Sequence, residues 1–221
     1  MPDIAQSPPM LEYALPDSMT LWQVIKEDWV AHGKDWTKPG FRAVAIQRFG
    51  VWRMGVKSSL LRAPLSTLYR MLYRKVRNTY GIELPFTVKL GRRVVIEHQS
   101  AIVIHGFCEI GDDSIVRQGV TLGNRYLDKP FDAPKLGKRV NVGAGAKIFG
   151  AVMIGDGANI GANAVVLKDV PAGATAVGIP AKVIPAAGDR ETPSTSATPK
   201  WTVPLEPPEL ALTSGSDPEP S

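Results

Sequence analysis

The sequence predicts a mainly β protein whose central part is a three-sided parallel β-helix, and three observations carry that reading. An aliphatic residue recurs on a six-residue beat from Leu84 to Val166, through Leu90, Ile96, Ile102, Ile110, Val116, Leu122, Leu136, Val142, Ile148, Ile154 and Ile160. A small or β-branched residue follows four places after most of these, as at Val88, Val94, Ser100, Val120, Val140, Ala146, Ala158 and Ala164. Glycine stands directly after seven of them. A short fixed period means one unit stacked on itself, each copy unable to bury its apolar side alone. Six residues fit neither a helix nor plain strand alternation. They fit a short strand plus a corner, with glycine absorbing backbone angles that other residues avoid. Three such sides close a triangular coil, and coils stack about 4.8 Å apart. Unrelated sandwich strands would not hold this register. The beat breaks twice, by two residues before Ile110 and by eight before Leu136.

The remaining elements follow in order. Residues 1–18 carry prolines without periodicity and are expected to be disordered. Residues 19–80 form a helical segment. Thr20 and Gln23 make a capping-box pattern that opens a helix through "LWQVIKEDWVAH". Pro39-Gly40 interrupts it, helical spacing resumes through Phe41, Val44, Ala45 and Trp52, and Ser66 is placed as the cap of a third helix. Trp22, Trp29, Trp36, Trp52 and Tyr69 are assigned to helix contacts. The β-helix covers 81–185. From 186 to 221 the chain turns rich in proline, serine and threonine and is expected to be a disordered tail.

Composition narrows the function classes. With 221 residues, 44% of them hydrophobic, there is room for one main domain and a smaller one. The single Cys108 excludes an internal disulfide, and no apolar run is long enough to span a bilayer. The start "MPDIAQSPPM" has neither basic leader nor apolar segment, which argues for the cytoplasm. The formal charge of +5 gathers at Lys57, Arg62, Arg70, Arg74, Lys75 and Arg77. A peripheral contact with an anionic membrane is one reading. The plainer one is a solvated helix face with its apolar side on the β-helix. No motif supports nucleic-acid binding.

Three histidines make the search for chemistry short. His32, near the end of the first helix, reads as a surface residue, and His105 as turn packing. His98 differs: with Ile96 and Ser100 assigned to the core, the register turns it outward. Glu97 precedes it, and Glu83 lies nearly one coil of eighteen residues earlier, where the two could approach on one face. A neutral imidazole can take the proton of an attacking hydroxyl, and a carboxylate can fix its tautomer. A plain surface hydrogen bond would leave the same trace. Cys108 has no adjacent base and reads as inert.

The repeats resemble the hexapeptide-repeat acyltransferases, and "GIELPFTVKLGRRVVIEHQSAIVIHG" is similar to the serine acetyltransferase segment that reads Asp-Ile-His-Pro, then Leu-Asp-His, at the same spacing. The resemblance runs over roughly residues 20–185. It implies a left-handed β-helix, a homotrimer with a dimer of trimers open as the higher assembly, and direct acetyl transfer from acetyl-CoA to a hydroxyl without a metal. It makes His98 the base, with Glu83 and Glu97 orienting it or contacting the acceptor. Ala144 in "VGAGAK" and Ala162 in "IGANAV" fall on segments whose backbone amides meet the pantetheine arm. Lys168 and Lys182 either reach CoA phosphates or are solvated corners. The loop "NRYLDKPFDAPK" falls where the family extrudes a loop over a neighbouring subunit's site.

Two departures bear on the acceptor. Where the family carries Arg-His-Pro-Lys, this chain has Asp132, Ala133, Pro134 and Lys135, and aspartate would repel a serine carboxylate. Arg125 is the candidate substitute. The family's C-terminal isoleucine, which docks the next enzyme of cysteine synthesis, has no counterpart in "DPEPS". The expectation is an acetyl-CoA-dependent O-acetyltransferase of serine acetyltransferase type. A sugar hydroxyl, as in exopolysaccharide biosynthesis, stays open as acceptor, and a non-catalytic trimeric scaffold is the alternative of another class.

Overall fold

Each coil lays one short strand on each of three faces. The structure, a computed structural model, describes Leu15 and residues 19–186, all within the compact unit Met1–Arg190. The expected disordered ends fall almost entirely outside the described residues. In chain order the strands are β1 (Ile82–Glu83), β2 (Lys89–Leu90), β3 (Val95–Glu97), β4 (Ile102–Ile104), β5 (Glu109–Ile110), β6 (Ile115–Arg117), β7 (Thr121–Gly123) and β8 (Lys135–Leu136). They continue with β9 (Asn141–Val142), β10 (Lys147–Phe149), β11 (Met153–Ile154), β12 (Asn159–Ile160), β13 (Val165–Val166), β14 (Thr175–Val177) and β15 (Lys182–Ile184). The first face is β1-β4-β7-β10-β13, the second β2-β5-β8-β11, and the third β3-β6-β9-β12-β14-β15. Every pairing is parallel except β14 with β15, which closes the upper edge of the third face.

All thirteen beat positions are buried and fill the prism, so the six-residue pattern is the core. One assignment is corrected. Ser100 is exposed, with φ +82°. The register explains it: Ile102 pairs with Ile82, whereas Ile104 pairs with Leu122. The two extra residues therefore sit in the corner His98–Ala101 rather than beside Ile110. Ile104 takes the next beat position, and Cys108, four residues on, is buried below it. The eight-residue break is a loop leaving after β7 and rejoining at β8, where Lys135 pairs with Glu109.

The helices are α1 (Leu21–Ala31), α2 (Pro39–Trp52) and α3 (Ser59–Tyr80), with a 3-10 turn at Arg53–Gly55. The Thr20–Gln23 capping box forms as expected. The third helix starts seven residues before Ser66, with Ser58 as its N-cap. Pro64 inside it forfeits one ladder bond without breaking it, and Ser66 Oγ accepts from Arg53 Nη1 at 2.8 Å instead of capping. Trp22 and Trp36 are 76% and 74% exposed, so those two are not helix contacts; Tyr69 is buried.

His32 is also not a surface residue: it is 2% exposed. The lowest coil has unpaired strand edges, and buried polar backbone needs partners. Helix side chains provide them. Gln47 Nε2 donates to Val88 O at 2.9 Å, and Arg48 donates to Leu90 O at 2.7 Å and Gly91 O at 2.5 Å. Ile96 N–H donates to His32 Nε2 at 3.3 Å, while His32 Nδ1–H donates to Asp28 O at 2.6 Å. Arg48 is in turn paired with Asp28 at 2.9 Å, both fully buried. Removing one partner of such a pair costs about 3–5 kcal/mol.

On α3 the apolar side is not wholly on the β-helix. Leu60, Leu61, Leu68 and Met71 are exposed next to Arg70, Arg74 and Lys75. Among the described residues no helix is long and apolar enough to cross a membrane.

Candidate active site

His98 occupies the corner where the chain passes from the third face to the first, and it is exposed. Its φ is +67°, and Ser100 and Ala101 also have positive φ. Left-handed non-glycine residues cost of order 1–3 kcal/mol and persist only where the surroundings over-determine them. Here the end of α3 does so. Ser100 N–H donates to Tyr80 O at 2.8 Å, and Ile102 N–H to Gly81 O at 2.9 Å. Gly81, the left-handed C-cap of α3, lets the backbones meet, since a Cβ there would lie 3.1 Å from Ala101 N. The two inserted residues thus raise the imidazole on a corner that the helix clamps from below.

Register brings several expected residues to this edge. Glu97 pairs with Arg117, Ile115 with Asn141, and Asn141 with Asn159. The backbone bonds from Gly119 N–H to Ser100 O, Gly145 N–H to Gln118 O and Asn163 N–H to Ala144 O stack Ser100, Gln118, Ala144 and Ala162 on successive coils of one edge, with His98 in the extra residues just before Ser100. At about 4.8 Å per coil, Ala162 stands roughly 14 Å above the His98 corner. Ala144 is half-buried and Ala162 exposed, with Asn163 N–H donating to Ala144 O at 2.8 Å. Small side chains leave this part of the edge open to a ligand's approach along the backbone.

The acids divide. Glu97 Oε2 lies 2.8 Å from Arg117 Nε, so its carboxylate is paired across coils. Glu83 is half-buried on β1 beside Val103, and no hydrogen bond or ion pair joins it to His98 among the described residues. It faces α3: burial pushes the Tyr73 phenol up to about 12, and the Glu83 charge adds to the shift.

Other candidates lie elsewhere. Arg125 is in the long loop, its guanidinium over the Tyr126 ring at 5.2 Å, and Asp132 is half-buried there. That loop leaves the edge between the first and second faces, and Phe131 packs edge-on against Phe107 at 4.9 Å. Lys168 and Lys182 are exposed near the upper end of the prism. Burial lowers the His105 pKa and pushes the Cys108 thiol up to about 12, which removes Cys108 as a nucleophile. Arg117 was not singled out by sequence reasoning, because only the coil register puts it against Glu97. The signal available was its outward place two residues before the glycine corner at Gly119.

No family model matches the chain. A serine acetyltransferase of Helicobacter pylori is 41% identical over 171 residues, covering 76% of this chain and 95% of that protein. The chain belongs to the serine acetyltransferase family. Solved structures of the family agree in fold. The serine acetyltransferase of Brucella abortus in complex with coenzyme A matches with a TM-score of 0.62 and 25% identity, over 74% of this chain and 67% of that one. Soybean serine acetyltransferase complexed with serine matches with a TM-score of 0.62 and 28% identity, over 74% and 69%. Family membership makes the chain an acyltransferase, as the repeats implied.

Proposed function

We propose that the protein is an acetyl-CoA-dependent serine O-acetyltransferase of cysteine biosynthesis, with His98 as general base. The observation that carries this is the clamped, outward corner of His98 on the same edge as Ala144 and Ala162. Neutral His98 accepts the hydroxyl proton of serine as its oxygen attacks the thioester carbonyl. The tetrahedral intermediate collapses by breaking the C–S bond, and the imidazolium returns the proton to the departing CoA thiolate. Glu97 adjoins the base, and Glu83 lies one coil below on the first face. Lys168 and Lys182, exposed at the upper end, are the cations available to CoA phosphates.

The assembly in this reading is a homotrimer. The long loop and His98 occupy different edges of one prism, so the loop serves a neighbour's His98 rather than its own. The exposed row on α3 is the surface left for a further contact, with another trimer or an anionic membrane. A buried lone thiol fits the reducing cytoplasm.

Thiol release from acetyl-CoA, measured with L-serine, homoserine and sugar acceptors, tests the assignment. L-serine is the expected acceptor. His98→Ala should lower turnover by about 10²–10⁴ while CoA still binds. Full turnover in that variant removes His98 from the mechanism, and turnover restricted to sugars overturns the acceptor.

A further inference from the structure

We infer that Arg117 binds the carboxylate of the acceptor, and that the Glu97–Arg117 pair reads a zwitterionic α-amino acid. This rests on the reading of the protein as a serine O-acetyltransferase. Arg117 ends β6, in register one coil above Glu97. Glu97 immediately precedes His98 in the chain, so the ion pair lies at the entrance to the His98 corner. Its Nε is on Glu97 at 2.8 Å, and its Nη1 donates to Asn141 Oδ1. A guanidinium carries five N–H donors in a planar fork, so donors remain after both contacts. The side chains of Arg117 and Glu97 are 30% and 43% exposed, reachable by a ligand. Anchored at two points, the fork is held in one orientation, which suits bidentate capture of a carboxylate. An ion pair this exposed adds little to folding.

Lys147, Arg42 and Arg125 are already engaged or lie on another edge. Lys147 Nζ donates to Gly119 O at 2.5 Å and Thr121 Oγ1 at 3.0 Å. Arg42 is bonded to Trp36 O and the Tyr80 hydroxyl. Arg125 lies on the edge between the first and second faces, against Tyr126. On the acidic side, Glu97 spends one oxygen on Arg117 and keeps the other for an ammonium. Gln118, next in sequence, buries its Oε1 without a hydrogen-bond partner among the described residues, an unsatisfied acceptor at the same corner. A positive and a negative group a few ångströms apart at the entrance to the His98 corner match both charges of an amino acid. A neutral sugar would meet neither.

Steady-state kinetics of the full chain with Arg117→Met and Arg117→Lys, at saturating acetyl-CoA, test the inference. Arg117→Met should raise KM for L-serine by about 10- to 100-fold, the worth of a charged hydrogen-bonded contact. Its kcat at saturating serine and its KM for acetyl-CoA should stay as in the parent, and Arg117→Lys should fall between. Ethanolamine has the hydroxyl and the ammonium but no carboxylate, so it should be a poor acceptor to the same degree for parent and Arg117→Met. An unchanged serine KM in folded Arg117→Met overturns the inference. Equal losses for serine and ethanolamine also overturn it, because they place the effect in Glu97 rather than in carboxylate binding. Should Arg117→Met fail to fold, the parent alone decides: ethanolamine used as well as L-serine contradicts a carboxylate subsite. Failure of the inference leaves parent turnover with L-serine intact, whereas failure of the underlying reading abolishes it.

Discussion

His32 ties the helical segment to the strand that leads into His98, and it does so only as a neutral imidazole. Its Nε2 accepts the Ile96 N–H, so protonation there would remove the acceptor and bury a cation. Burial lowers its pKa from the usual 6.5, with nearby Lys38 acting in the same direction against Asp28. The folded value being the lower one, the unfolded chain takes up a proton first as pH falls. The stability that neutral His32 contributes is thus present above about 6.5 and is lost as pH drops toward the folded value. Thermal melts from pH 7.5 down to 5.5 should show a falling midpoint, and His32→Gln, which keeps an acceptor without titrating, should flatten that slope. An equal slope in both proteins would assign the acid sensitivity to other groups.

Among the elements, α2 shows how closely the helices are fitted to the first coil. Gly40 lies against β3, where an added Cβ would come within 1.8 Å of Ile96 O. Alanine ordinarily favours a helix over glycine by about 1 kcal/mol. At Gly40 the clash with backbone wins, and Gly40→Ala should destabilise by about 1–3 kcal/mol in a denaturant titration, the usual cost of overpacking. A stabilised variant would contradict the seating of α2 on β3. The strands were legible from sequence because each beat residue answers to one local rule, burial in a narrow prism. The start of α3 was not, since Ser66 reads locally as a cap, whereas the helix begins at Ser59, runs through Pro64, and Ser66 is bonded to Arg53 thirteen residues earlier. The two-residue break was counted correctly and put in the wrong corner. Ile102 and Ile104 are both aliphatic, and only the pairing of Ile104 with Leu122 decides between them. Arg117 and the buried roles of His32 and Arg48 escaped for a related reason: each depends on partners from 20 to 64 residues away.

At the scale of the molecule, one prism has three edges, and the chemistry divides between two of them. His98, Ala144 and Ala162 run along the edge between the third and first faces, while Asn124–Pro134 leaves the edge between the first and second. Phe131 against Phe107 holds the loop on its own side. The full width of the first face separates it from His98 of the same chain. A closed threefold assembly would set the loop edge of one subunit beside the His98 edge of the next, so each site would draw on two chains. Mixing two dead variants tests this. One is His98→Ala with an intact loop; the other keeps His98 but lacks residues 125–132. Each alone should be inactive while still binding CoA. In randomly mixed trimers at equal ratio, a site works only where an intact His98 meets an intact loop from its neighbour, which is about a quarter of sites. Each trimer that contains both variants has one working site in three, so co-expression with distinct tags should recover about a third of parental turnover in the mixed fraction. Mixed trimers with no recovery, from variants that bind CoA normally, would mean that loop and base belong to the same subunit and that the site is complete within one chain.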